Sequence, residues 1–248
     1  SYAIVAYRTA YMKKHYPREY MAALITSVLD SSAKVAEYVD ECRELGIRLL
    51  PPDVNESGPD FRVTEEGLRF GMAAIKNVGR GFARSIVAER ESGGKFSAFD
   101  EFLERMYPRE MNRRAVESLI RAGAFDSMGY RRKQLLQVVD SVIEGVASAG
   151  RRNVAGQLDM FGMAADEDDE PIKRSTLTLP DVPEFTKSEL MAMEREMTGL
   201  YLTGHPMDEY RAKAQKMGAV PMGSIIADFE SEQGPERFAD GQYVTLAG

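Results

Sequence analysis

The sequence is poor in the residues that build redox, metal and nucleophilic sites. It has one cysteine and two histidines in 248 residues. A single cysteine excludes a disulfide framework within the chain and fits a reducing compartment. Cys42 falls on the apolar face of an expected helix, which reads as a buried structural thiol. With so few Cys and His and no cluster of them, no transition-metal site is expected. His15 stands alone, and His205 in Gly204-His205-Pro206 reads as a structural turn residue. The chain has no Ser/His/Asp arrangement, no Walker loop and no paired carboxylates in a metal-site setting. Its only dense acidic run, Asp166-Glu167-Asp168-Asp169-Glu170, reads as a solvated stretch of linker. No apolar run approaches the ~20 residues of a membrane helix. No signal peptide precedes the first helical pattern. A cytoplasmic protein with no membrane partner and no catalytic residue of its own is the expectation.

What is present is an uneven distribution of charge. The net charge is −7, which argues against a polyanion partner. Residues 69–133, however, hold 14 Lys and Arg against 8 Asp and Glu, leaving 18 against 31 in the rest. A basic middle between acidic arms is a footprint for nucleic acid.

Hydrophobic patterning predicts a mainly α protein. A helix over 2–15 is followed by one that Pro17 can start, with Tyr20, Met21, Leu24, Ile25 and Val28 on one face. Ser31 or Ser32 can cap a third, with Val35, Tyr38, Val39, Cys42 and Leu45 as its stripe and Gly46 as its stop. Pro51-Pro52 ends a short extended segment. A turn-rich loop follows, then a small β-hairpin near 61–70. Helical patterns resume to about residue 145, with Phe96, Phe99, Phe102 and Leu103 spaced as core. Residues 147–183 read as a linker. A helix over 187–200 carries Leu190, Met193, Met197 and Leu200, and 207–217 is a short helix. There is no initiator Met, and Tyr243–Leu246 begins a strand-like alternation. Both features fit an internal piece of a longer chain.

The stretch from Met72 to Arg90 carries the most chemistry. Two helical patterns flank Asn77-Val78-Gly79. This resembles the helix-hairpin-helix family, whose Gly-hydrophobic-Gly loop lets backbone N–H groups approach a phosphate at a helix N-terminus. Asn77 stands where the first glycine is usual; Asn is the next best residue for a left-handed conformation. Val78 is expected to plug between the helices, with Ala83 and Ile86 closing the pair. Lys76, Asn77, Val78, Gly79, Arg80, Gly81 and Arg84 form the candidate DNA-binding set, a set that contacts backbone and reads no sequence. Arg113, Arg114 and Arg121 can extend the surface. An ordinary helical hairpin with a solvated basic face explains the same residues.

A second motif is Gln157-Leu158-Asp159-Met160-Phe161. Large apolar side chains in a loop call for a pocket on another protein, unless they fold back as a satellite cluster.

Several long stretches taken in order resemble the alpha subunit of bacterial DNA polymerase III, the C-family replicative polymerase. They are Tyr2–Lys13, Leu49–Ser57, Phe70–Gly79, Glu117–Asp126 and Tyr201–Tyr210. The resemblance implies that 1–60 end a fingers domain and that 61–133 are a helix-hairpin-helix region binding double-stranded primer–template DNA. It makes 134–186 a helix end and linker. It makes 187–248 a helical connector with the first strand, Gln242–Leu246, of a truncated oligonucleotide-binding β-barrel. Gln157, Leu158, Asp159, Met160 and Phe161 look like the family's motif for the sliding clamp (the beta subunit), with Met160 where Leu is commoner. Other replicase subunits are implied as partners. The catalytic palm and its magnesium would lie upstream of Ser1, leaving no cofactor in this segment. A separate clamp-tethered DNA-binding adaptor, or a helical scaffold with neither affinity, stays open as an alternative.

Overall fold

The computed structural model describes residues 2–29, 31–109, 111–159, 177–204, 206–231 and 234–247. His205, Met160 and Phe161 and the acidic run therefore lie outside the described residues. The chain divides into two compact units, Ser1–Thr203 and Gly204–Gly248.

The larger unit opens with α1 (Tyr2–His15), α2 (Pro17–Ser27) and α3 (Ser32–Glu44). Pro17 sits in the first turn of α2 as its fixed φ favours. Met21, Ile25, Val35, Val39 and Cys42 from α2 and α3 enter the core. Burial, with the Glu41 carboxylate beside it, pushes the Cys42 thiol up to about 11, so it is an inert structural thiol. Ser31 occupies the N-cap of α3, but its side chain accepts no capping bond. Gly46 stops the helix at φ +68°. Helix α1 buries no residue and is joined to α3 by the Lys13–Glu41 ion pair.

A small sheet follows, formed by β1 (Leu49–Leu50), β2 (Arg62–Val63) and β3 (Leu68–Arg69). The expected hairpin is the antiparallel β2–β3 pair, in which Val63 faces Leu68. The extended segment expected before Pro51 is a third strand; its pairing with β3 is not readable in the sequence, because two residues are too short to show a pattern. It runs parallel to β3, with Leu68 N–H donating to Arg48 O (2.8 Å) and Phe70 N–H to Leu50 O (3.0 Å). Gly67 makes this approach possible. A Cβ there would lie 2.1 Å from Arg48 O, at a φ of +153°.

Helices α4 (Arg80–Gly93), α5 (Phe99–Met106) and α6 (Arg113–Arg121) then build an aromatic core. Phe99 and Phe102 meet Phe125 edge-on at 5.1 and 5.0 Å, and Phe96 meets Phe102 at 5.0 Å. This is the core role expected of the Phe repeat. The Asn112 side chain caps α6 by accepting from Ala115 N–H (2.8 Å).

Helix α7 runs Arg132–Asp159, well past the end near 145 that patterning indicates. Residues 147–159, expected as loop, are therefore helical, and Gln157, Leu158 and Asp159 have helical backbone. Apolar periodicity does fade there, but 147–159 hold three Ala, two Arg, one Gln and one Leu and no proline, so good helix formers continue the helix despite two glycines.

Helix α8 (Lys187–Thr198) starts at a capping box between Thr186 and Glu189 and stops at Gly199 (φ +79°). Its buried face is Met191, Glu194, Met197 and Thr198. The stripe read from sequence placed Leu190 and Met193 inside; both are only half-buried. The rotation brings a carboxylate into the core.

In the smaller unit, a 3-10 turn (Pro206–Glu209), α9 (Arg211–Lys216) and α10 (Met222–Phe229) follow in turn. Residues 242–247 join no ladder among the described residues; Val220 N–H donates to Thr245 O (2.9 Å). Among the described residues no helix is long and apolar enough to cross a membrane.

The sheet supplies a first prediction. Gly67→Ala should destabilise the protein by more than about 2 kcal/mol in urea unfolding, because backbone must move to admit the methyl group.

Candidate nucleic-acid interface

The turn Met72–Ala74 and helix α4 flank the loop Ile75–Gly79. The first helical pattern of the hairpin is thus a single 3-10 turn. It is fastened to the preceding loop, with Met72 N–H donating to Gly58 O (2.9 Å) and Ala73 N–H to Pro59 O (3.0 Å). Gly71 is pressed against this loop; a Cβ there would lie 2.6 Å from the Asp60 carbonyl carbon.

Beyond the turn the loop is held at three points. Lys76 N–H donates to Met197 O on α8 (2.8 Å). Asn77 Nδ2 donates to Ser118 Oγ on α6 (3.0 Å). Val78 is 4% exposed and packs in the core with Ala83 and Ile86, as the plug reading expects. Asn77 has φ +64° and is the one non-glycine with positive φ among the described residues. The left-handed turn that a glycine would make is made by Asn, with its amide tied down.

The other side of the loop faces outward. Lys76, Asn77, Gly79, Arg80, Gly81 and Arg84 are exposed. Gly79 is the N-cap of α4 with φ −67° and ψ 149°, and no side chain caps the helix. A Cβ on Gly79 or Gly81 would meet nothing within 4 Å. Neither glycine is required by the protein's own packing or, at Gly79, by its backbone angles. The first-turn N–H groups of α4 are left for solvent or a ligand. No acidic residue lies in the first turn of α4, while Arg80 opens it and Arg84 follows one turn on. Positive side chains at the positive end of a helix are unfavourable unless an anion joins them.

The basic surface is narrower than residue counts indicate. Arg105 bridges Glu89 (3.1 Å) and Glu101 (2.9 Å) and stacks over Phe96. Arg109 pairs with Glu89 (2.6 Å), and Arg131 with Asp181 (3.4 Å). Arg113 pairs with both Glu117 and Asp140 at 2.7 Å, and Arg121 approaches Glu196 at 3.9 Å. Arg113 and Arg121 are therefore balanced by neighbouring carboxylates, and of that trio Arg114 alone adds a free charge among the described residues. Within the loop set, Arg80 pairs with Asp60 (3.0 Å), both half-exposed. Such a pair is worth about 1 kcal/mol or less, so an incoming phosphate can displace it. Lys76 and Arg84 have no carboxylate within ion-pair distance among the described residues.

Comparison with known proteins now bears on the hairpin. Residues 46–135 match a family described as the helix-hairpin-helix motif. The full chain is 41% identical to DNA polymerase III subunit alpha of Saccharopolyspora erythraea, covering 20% of that protein. The Mycobacterium tuberculosis subunit is 42% identical over 84% of the chain, covering 17% of its own length. That of Thermus aquaticus is 40% identical over 85% of the chain and covers 16% of its length.

The chain is homologous to a segment of the DNA polymerase III alpha subunit.

It spans about a fifth of the length of these relatives. The resemblance read from five motifs thus holds across the chain. Sequence reasoning did not find the groups that set the loop from beneath: Ser118, the Met197 carbonyl, and Asp60 against Arg80. Only Ser118 carried any signal, as a hydroxyl on the apolar face of α6.

The two kinds of loop position should separate experimentally. Asn77→Val should cost about 1–3 kcal/mol in chemical unfolding, through the left-handed turn and the lost Ser118 bond. Gly79→Ala should stay within about 1 kcal/mol of the parent.

Proposed function

We propose that the loop around Lys76, Asn77, Val78, Gly79, Arg80, Gly81 and Arg84 grips the phosphate backbone of duplex primer–template DNA. In this reading the chain forms part of a replicative polymerase. The observation that carries it is the uncapped N-terminus of α4, where two glycines stand over open space on either side of Arg80, which pairs with Asp60 at the surface, and between Lys76 and Arg84, which have no carboxylate partner among the described residues. Glycine there serves close approach by something outside the chain. Phosphate fits on charge, on the row of N–H donors and on the helix dipole. The grip is sequence-independent in this reading, because backbone N–H groups and cations that meet phosphate carry no sequence information.

Template-directed synthesis belongs to the proposal for the longer polymerase. Catalytic carboxylates and magnesium are placed elsewhere in it, in a cytoplasmic setting, and no residue of this chain is assigned to either. We further propose that Gln157, Leu158, Asp159, Met160 and Phe161 tether the polymerase to the sliding clamp. The supports are the motif's composition and the family likeness. Two weak contacts joined through one chain then act cooperatively through effective concentration.

Titration of labelled primer–template duplex tests the grip. The parent should bind, with affinity falling as salt rises. A Gly79→Val, Arg84→Glu variant should lose at least about tenfold in affinity while unfolding normally. Equal binding by parent and variant would refute the grip. For the tether, Leu158→Ala with Phe161→Ala should abolish capture by immobilised clamp and leave duplex binding unchanged.

A further inference from the structure

We infer that Glu194 is a positioning residue for the hairpin loop and that α8, outside the matched helix-hairpin-helix region, is a working part of the DNA grip. The inference rests on the phosphate-grip reading above.

Glu194 is wholly buried. Its carboxylate accepts from Arg132 Nη2, Leu202 N–H, Thr203 N–H and Thr203 Oγ1, each at 3.0 Å. Arg132 is held from other sides by Asp126 (2.7 Å) and by the Arg121 carbonyl (3.0 Å). A buried carboxylate left without these donors would be strongly unfavourable. The set of bonds therefore fixes the rotation of α8 about its own axis.

That rotation matters because of what lies one turn further on. Met197 O is one of the last carbonyls of α8, which have no partner within the helix. Lys76 N–H takes this one up. The next residue is Asn77, whose strained φ sets the direction in which Gly79 and the start of α4 leave the loop. The α8 contact and the Ser118 contact hold the two sides of a single peptide link. Turning α8 would remove Met197 O from Lys76 and leave the left-handed turn tied only through α6. The grip is thus assembled from stretches separated in the chain by residues 160–176.

The experiment uses the full chain. Glu194→Gln keeps the shape and removes the charge. Amide hydrogen exchange at Lys76 should quicken about tenfold, exchange at Val39 in α3 should be unchanged, and duplex affinity should fall about tenfold. Thr203→Val removes one donor but keeps the Arg132–Glu194 pair. It should shift both readouts in the same direction by about threefold, and it decides the matter if Glu194→Gln does not fold. Equal acceleration at Lys76 and Val39 would show general destabilisation and overturn the inference. So would parental exchange and binding by Glu194→Gln when Gly79→Val, made separately in the parent, weakens binding. Parental binding by Gly79→Val would instead overturn the phosphate-grip reading itself, whatever Glu194→Gln does to Lys76.

Discussion

The buried turn at Asp53–Ser57 is the constraint on which the hairpin region depends. Ser57 Oγ donates to Phe70 O (2.7 Å) and accepts from Asp53 N–H (3.0 Å). The Asp53 carboxylate accepts from Asn55 N–H (2.7 Å), and Asn55 pairs reciprocally with the backbone of Phe96. Val54 N–H reaches Ala124 O (3.0 Å), while Arg90 donates to Val54 O (2.8 Å). One irregular stretch thereby joins the sheet, α4, the start of α5 and the end of α6. Asp53 and Ser57 are buried and Asn55 is half-buried, so their polar groups need these partners, and few other arrangements of these elements satisfy them all. The loop at 75–79 can be rigid because its supports are rigid.

Charge is handled in the same way. The arginines of α5 and α6 mostly hold the fold together, Arg105 by binding carboxylates and the last carbonyls of α4. Pairing lowers the positive field that the composition of 69–133 implies; among its exposed cations in the described residues, Lys76, Arg84 and Arg114 are left without a carboxylate partner. For a chain of net charge −7, a small unpaired cluster beside a helix N-terminus is a more selective anion site than a broad basic face. Short-range contact counts for more than the screened total.

Elements with strong local signals were legible in the sequence. Pro17, Gly46, the Phe repeat and the buried Val78 each act through local geometry or simple burial. Asn77 was legible because few residues accept a positive φ. The features that stayed hidden are tertiary. Glu194 reads as a surface charge until Arg132, far away in the chain, is seen against it, and the face of α8 turns with that pairing. The pairing of Arg113 with Asp140 and that of strand β1 with β3 likewise depend on residues that no window joins. The extent of α7 was misjudged because helix propensity continued after amphipathic spacing had faded.

The glycines make the functional argument sharper than the charges do. Gly67 and Gly71 are glycines because backbone from another segment occupies the space a side chain would need. Gly46 and Gly199 are glycines because the chain turns left-handed there. Gly79 and Gly81 satisfy neither condition: their Cβ positions are open and their φ is not positive. Flexibility at these two sites lowers the stability of the start of α4, and no internal contact of the glycines themselves offsets that loss. What two such glycines do supply is bare backbone at the end of a helix, near Lys76 and Arg84, which pair with no carboxylate among the described residues, and beside Arg80, whose surface pair with Asp60 is weak. A ligand that must come within hydrogen-bonding distance of that backbone, and carries negative charge, accounts for all of these features together.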